Sequence, residues 1–148
     1  MQTFNRGEWS ELYVILHLLT NPNLIIVDSK MNFITDKLYT VKKIIFESSK
    51  KLEYFIDNKN IYLLADNKIH KDFSYEKICI KKTELLHSII HSTTKLGSFE
   101  IPDFDIFLTE FTNQHKMKSS SKNKNDLFLE INDNRLHLSK ILSYSVKS

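Results

Sequence analysis

Two short segments near the carboxyl end could bring an acid and an amine together. Residues 125–130 read as one strand and residues 142–147 as another, with Asn132, Asp133, Asn134 and Arg135 between them supplying turn residues. The pair is expected to form an antiparallel hairpin. That hairpin sets Asp126, at the start of one strand, near Lys147, at the end of its neighbour. A carboxylate able to hold Mg²⁺, beside an ammonium able to steady developing phosphate charge, is a minimal set for phosphodiester cleavage. The same spacing also describes an ordinary solvated edge pair. On these residues alone both readings stay open.

The amino end offers more carboxylates. Leu12, Ile15, Leu16 and Leu19 follow a helical period, Asn5 suits the N-cap, and Glu8 then falls in the first turn, where the helix dipole favours an acid. Glu8 and Glu11 are three apart and so neighbours on one side of that helix. The plainer reading is that Glu8 completes a capping box and Glu11 is a surface residue.

Between these ends the chain predicts a mixed architecture. Residues 24–27 read as a short buried strand, and 40–46, 53–56 and 61–64 as strands, the last two joined by a turn at 57–60. Residues 75–80 are ambiguous. A helix is expected from Thr83 to about Leu96, ended by Gly97, and another over 102–112, with Pro102 in its first turn. Pro102-Asp103 spells a literal "PD", but Phe104, Phe107, Leu108 and Phe111 follow at helical spacing, so Asp103 reads as a helix-start acid and is left out of the site. The elements amount to an α/β (α+β) fold: an N-terminal helix on a mixed, mostly antiparallel sheet, in one domain over residues 1–148.

Composition bounds the function without naming it. The chain has 148 residues, 41% hydrophobic and 26% charged, which suits one globular domain with a sizeable core. The single Cys79, in an apolar run, excludes an internal disulfide and gives no zinc spacing; it reads as a small buried residue. His87 and His91 are four apart on the expected helix, a spacing that can hold a metal, but no third ligand stands nearby in sequence, so they read as paired surface histidines. The tyrosines are scattered and read as core or partly buried aromatics. No apolar stretch is long enough to span a bilayer and no signal-peptide pattern opens the chain, so a cytoplasmic location is expected. The net charge of +3 is mild, but residues 113–125 carry Lys116, Lys118, Lys122 and Lys124 with no acid, among three serines including Ser120. Those lysines and hydroxyls could meet a phosphate backbone, which positions nucleic acid without reading bases; the alternative is a solvated loop.

Three segments together resemble the HpaII family of type II restriction endonucleases. They are Asn5-Arg6-Gly7-Glu8-Trp9-Ser10-Glu11, the tract Lys116-Met117-Lys118-Ser119-Ser120-Ser121-Lys122 leading to Asp126, and the closing Tyr144-Ser145-Val146-Lys147-Ser148, which is similar to that family's Phe-Ser-Ile-Lys-Ser. Their order and separation agree, while the middle of the chain is much looser.

The resemblance implies a PD-(D/E)xK nuclease-like core, Mg²⁺ as cofactor, duplex DNA as substrate and CCGG as target. By the same resemblance Asp126 is the first metal carboxylate, Lys147 the catalytic lysine, and Ser145 stands where the superfamily has its second acid. Serine is a neutral, weak Mg²⁺ ligand, so another carboxylate must complete the site. Glu8 is the first choice and Glu11 the second. Glu130, an even step from Asp126 along the strand, is the third. The family continues well past its lysine strand, whereas Lys147 is followed here by Ser148 alone. The expectation is therefore an N-terminal portion with an incomplete core and little activity alone, paired in function with a complementing C-terminal chain. The rival expectation is a non-catalytic DNA-binding or interaction module that uses the lysine tract.

Overall fold

Asn5 starts the first helix through a reciprocal pair of hydrogen bonds. In a computed structural model that describes residues 3–34, 39–47, 51–92, 97–113 and 127–144, the Glu8 amide donates to Asn5 Oδ1 at 2.9 Å and the Asn5 amide donates to Glu8 Oε2 at 2.8 Å. This capping box satisfies amide donors that the helix start would otherwise leave unpaired. A two-residue strand β1 (Phe4–Asn5) leads directly into helix α1 (Arg6–Thr20), whose Trp9, Leu12, Ile15, Leu16 and Leu19 form a buried stripe.

The sheet follows: β2 (Asn23–Leu24), β3 (Tyr39–Glu47), β4 (Lys51–Asp57), β5 (Asn60–Ala65) and β6 (Lys68–Ser74). Helix α2 (Tyr75–Ile90) comes next, then β7 (Ser98–Phe99), a 3-10 turn (Pro102–Phe104), α3 (Asp105–Phe111), β8 (Leu127–Asp133) and β9 (Leu138–Tyr144). The main sheet runs β6-β5-β4-β3-β8-β9, with β2 beside β3, and its pairings are antiparallel. β1 and β7 form a separate short ribbon. The expected α/β (α+β) architecture, an N-terminal helix on a mostly antiparallel sheet, is the one observed.

Alternation along the strands sorts the side chains onto two faces. Ile44 stands opposite Tyr54 on β4 and Leu129 on β8, Tyr54 stands opposite Leu63 on β5, and all four are buried. The helices pack on this face. The Tyr54 ring stacks on Phe111 of α3 at 4.4 Å, and Phe73 of β6 meets Phe107 and Phe111 edgewise or tilted. Trp9 of α1 lies between Phe4, Phe99 and Phe104, and its Nε1 donates to the Phe99 carbonyl at 3.1 Å. Burying each such ring in place of hydrating it contributes about 1.5–3 kcal/mol. The opposite face carries Lys43, Glu53, Phe55 and Glu130, with Lys43 Nζ at 4.0 Å from Glu53 and 3.8 Å from Glu130.

Several boundaries differ from the sequence reading, each for a local reason. Residues 24–27 are not a buried strand: β2 ends at Leu24, Ile25 is 76% exposed, and Val27 bridges Phe33 in a small hairpin. Asp28 makes that hairpin, its Oδ1 accepting the amides of Lys30 at 2.8 Å and Asn32 at 3.0 Å. Strand β6 carries no alternating signal in sequence, because only Phe73 of its seven residues is buried. Helix α2 begins at Tyr75, not Thr83, because Ser74 caps it by accepting the Lys77 amide. It ends at Ile90, with His91 as C-cap, well before Gly97, whose φ of +92° serves the approach to β7 instead. Cys79 is half-buried, not fully inside. The turn between β8 and β9 falls at residues 134–137 rather than 132–135. There buried Asp133 accepts the amides of Arg135 and Leu136 on Oδ1 and holds the strand one rung further.

Candidate active site

The capping acid and its neighbour one turn on lie over the sheet. Glu8 and Glu11 line a cavity of about 10 Å³ with Phe4, Leu12, Ile15 and Phe46, roughly the room a single water takes up. Its floor, Phe46, belongs to β3. Registers then fix where that floor is in the sheet. Ile45, next to Phe46, pairs with Phe128 at the beginning of β8, and Leu127 pairs with Tyr144 at the end of β9. The N-terminal turns of α1, the start of β8 and the end of β9 therefore share one end of the fold.

That end is where the sequence places its chemistry. Asp126 is joined by a peptide bond to Leu127, and Ser145 to Tyr144. Asp126, Ser145 and Lys147 themselves lie outside the described residues, as do Lys116, Lys118, Ser120, Lys122 and Lys124. Among the described residues no group of three His, Cys, Asp or Glu converges on a common point.

The three candidate carboxylates are separated by their surroundings. Glu8 commits Oε2 to the Asn5 amide, so its capping role is real, and one carboxylate oxygen is already in use. Glu11 lies on the next turn, half-buried at the same cavity and outside the capping box. Glu130 belongs to the other face of the sheet, across from Lys43, whose ammonium is 3.8 Å away. Glu8 and Glu11 can therefore act together, while Glu130 stands on the far side of the sheet from them. Nothing in the sequence marks Phe46 as the floor of this cavity; the β3 pairing is what places it there.

The arrangement defines a class: an α+β domain with an antiparallel sheet that gathers helical acids and the open end of a hairpin at one edge. Comparison with known proteins narrows it. The model of the HpaII restriction endonuclease family matches residues 5–148. The chain is also similar to the type II restriction enzyme HpaII of Haemophilus parainfluenzae, with 31% identity over 152 aligned residues that cover 97% of this chain and 40% of that enzyme. The chain belongs to the HpaII restriction endonuclease family, and it spans about 40% of the length of this relative. No solved structure matches significantly. Among the described residues no helix is long and apolar enough to cross a membrane.

Proposed function

We infer that this chain contributes the catalytic end of a Mg²⁺-dependent, site-specific endonuclease acting on duplex DNA, with CCGG as target. The observation that carries the reading is the family match over residues 5–148, which takes in both the α1 acids and the hairpin. Supporting it, the described ladder of that hairpin finishes at Leu127 and Tyr144, the neighbours in sequence of Asp126 and Ser145, at the same end of the sheet as Glu8 and Glu11.

The donor set suits the cofactor. Mg²⁺ prefers hard oxygen ligands, and the polar side chains named here are carboxylates (Asp126, Glu8, Glu11) and a hydroxyl (Ser145), with no thiol or imidazole lining the cavity. When bound, the ion supplies Lewis acidity, which acidifies water and offsets charge on the leaving oxygen. Asp126 would hold it. The acid that Ser145 replaces would come from Glu11 or Glu8 at the cavity, or from Glu130, an even step from Asp126 in the chain. Lys147 orients the attacking water or steadies the charge that develops on the phosphate. Lys116, Lys118, Lys122 and Lys124, with Ser120, grip the phosphate backbone and place the duplex without reading it.

The test is cleavage of a CCGG duplex with and without Mg²⁺, by the chain alone and mixed with the remaining portion of an HpaII-family polypeptide. Asp126→Asn is expected to abolish cutting while DNA binding persists. Cleavage that survives Asp126→Asn sinks the assignment. DNA binding with no cutting in either mixture supports instead a binding module built on the lysine tract.

A further inference from the structure

The turn between β5 and β6 lies at the same end of the sheet as the acids of α1. Registers carry the row across: Lys68 pairs with Ala65, Ala65 with Leu52, and Leu52 with Phe46, the floor of the cavity that Glu8 and Glu11 line. On the other side of β3 that row meets the start of β8 and the end of β9. In the sheet order β6 is four strand spacings from β8, about 19 Å.

The tip of this hairpin is built to hold its shape. Asp66 and Asn67 both take positive φ, +51° and +61°, as the two central residues of a type I′ hairpin turn must. Beyond the turn Leu64 pairs with Ile69 but Leu63 with Lys71, so His70 is the extra residue of a β-bulge. Its Nε2 donates to the Ala65 carbonyl at 3.2 Å, which ties the bulge back to the turn. Bulges of this kind re-aim side chains beside functional sites.

The side chains at the tip are donors next to an apolar one. Asn67, Lys68 and Ile69 are exposed, Ile69 at 67%. Among the described residues Lys68 has no carboxylate partner, whereas Lys51, Lys71 and Lys77 are each held in an ion pair. Asp66 is the one acid of the turn, and its short side chain reaches less far than an ammonium on a four-carbon stem. Lysine and asparagine beside a protruding aliphatic group are the side chains with which proteins enter a minor groove.

We propose that the β5–β6 tip contacts the minor groove of duplex DNA outside the target, with Lys68 on phosphate and Asn67 and Ile69 in the groove. The proposal rests on the nuclease reading, which lays the duplex across this end of the sheet. At 3.4 Å per base pair, a span of about 19 Å sets the contact roughly five to six base pairs from the bond that is cut. That is beyond CCGG itself. The tip therefore adds affinity for flanking DNA and takes no part in choosing the site.

The experiment measures binding of the full chain, without divalent metal, to fluorescein-labelled CCGG duplexes across a salt series, by fluorescence anisotropy. One duplex has short flanks that end before the tip; the other has long flanks that pass it. The variants are Lys68→Gln and the double change Asn67→Gly/Ile69→Thr, in which glycine keeps the positive φ of the turn. Circular dichroism checks each fold. The parent is expected to bind the long duplex more tightly, and both variants should lose that advantage while short-flank binding stays unchanged. Lys68→Gln should also lower the slope of log K against log salt by about 1 on the long duplex, for the one phosphate contact removed. Variants that keep the full long-flank advantage and slope overturn the contact. Equal losses on both duplexes overturn it too, because they put these residues at the target or in the fold. A parent that binds both duplexes alike overturns the tip alone, whereas a parent that binds neither removes the nuclease reading with it.

Discussion

Leu127 and Tyr144 are Cα partners in the last described rung of the β8–β9 ladder. The rung ties the residue that follows Asp126 to the one that precedes Ser145 in the chain, and its Leu127 is buried at 1% exposure. Packing at this rung and chemistry beyond it should separate by mutation. Leu127→Ala is expected to cost about 2–5 kcal/mol of stability, read as a lowered denaturation midpoint, because it leaves a cavity in the core. Asp126→Asn is expected to act on cleavage instead, with the denaturation midpoint measured beside it to separate the two effects.

The two acids of α1 should divide their labour in the same way. Glu8→Ala removes half of a capping box and is expected to destabilise by ~0.5–2 kcal/mol, as Asn5→Ala should. Glu8→Gln keeps an oxygen acceptor for the Asn5 amide and should recover most of that loss. Glu11 lies outside the capping box, so Glu11→Gln should leave the Asn5–Glu8 cap intact. Its effect should fall on Mg²⁺-dependent cutting, on the order of 10²-fold, comparable with losing one electrostatic contact to a transition state. Full cutting by Glu11→Gln would move the missing acid to Glu8.

Much of this fold could be read from sequence because its strongest signals are local. The α1 stripe and the run Phe107, Leu108, Phe111 each follow a helical period within one element, and the structure buries them where the period says, while the Asn5–Glu8 cap is a signal three residues long. The misreadings share a cause as well. Strand β6 is an edge strand with one buried side chain, so it lacks alternation, and its hydrogen bonds to β5 decide its conformation. The start of α2 depends on a hydrogen bond from the Lys77 amide to Ser74, in a stretch where Ile78 is buried but Ile80 is 57% exposed. The candidate site divides along the same line. Its residues were legible as motifs at the two ends of the chain, whereas the proximity of those ends comes from the antiparallel order that sets β3 beside β8. No spacing in the sequence encodes that neighbour.

Tyr54 couples the sheet to α3 by two means at once. Its ring stacks on Phe111, and its hydroxyl donates to the Phe111 carbonyl at 2.9 Å, one of the carbonyls that a helix C-terminus leaves without an intrahelical partner. Burial drives the phenol above its ordinary pKa range, so it remains a donor throughout the stable pH range. Tyr54→Phe keeps the stack and strands the carbonyl; the expected loss is about 1–3 kcal/mol. Tyr54→Ala loses the stack too and should cost ~3–5 kcal/mol. Chemical denaturation of the two variants beside the parent would measure both, and equal losses would mean that the hydroxyl contributes most of the coupling.

Glu110 ties three elements together and should give the protein part of its acid sensitivity. Its carboxylate on α3 meets Lys71 of β6 at 3.0 Å and Lys77 of α2 at 3.3 Å. The hydrogen bond from Lys71 is the main cause that holds its pKa below the ordinary value of 4.5, with Lys77 adding to it. A group whose folded pKa is depressed contributes stability that is complete above its unfolded value and is lost as pH falls through the folded value. Glu110 should therefore stabilise the fold fully above about pH 4.5 and progressively less below it. Because all three side chains are partly exposed, solvent screens the pairs and the effect should be modest and smaller in high salt. Glu110→Gln should lower stability near neutral pH and flatten the decline below pH 4.5, in denaturation midpoints measured across pH at low and high ionic strength. A parent and variant whose acid limbs run parallel would show that Glu110 titrates alike in the folded and unfolded chains, and that the clamp between α3, β6 and α2 carries no linked proton.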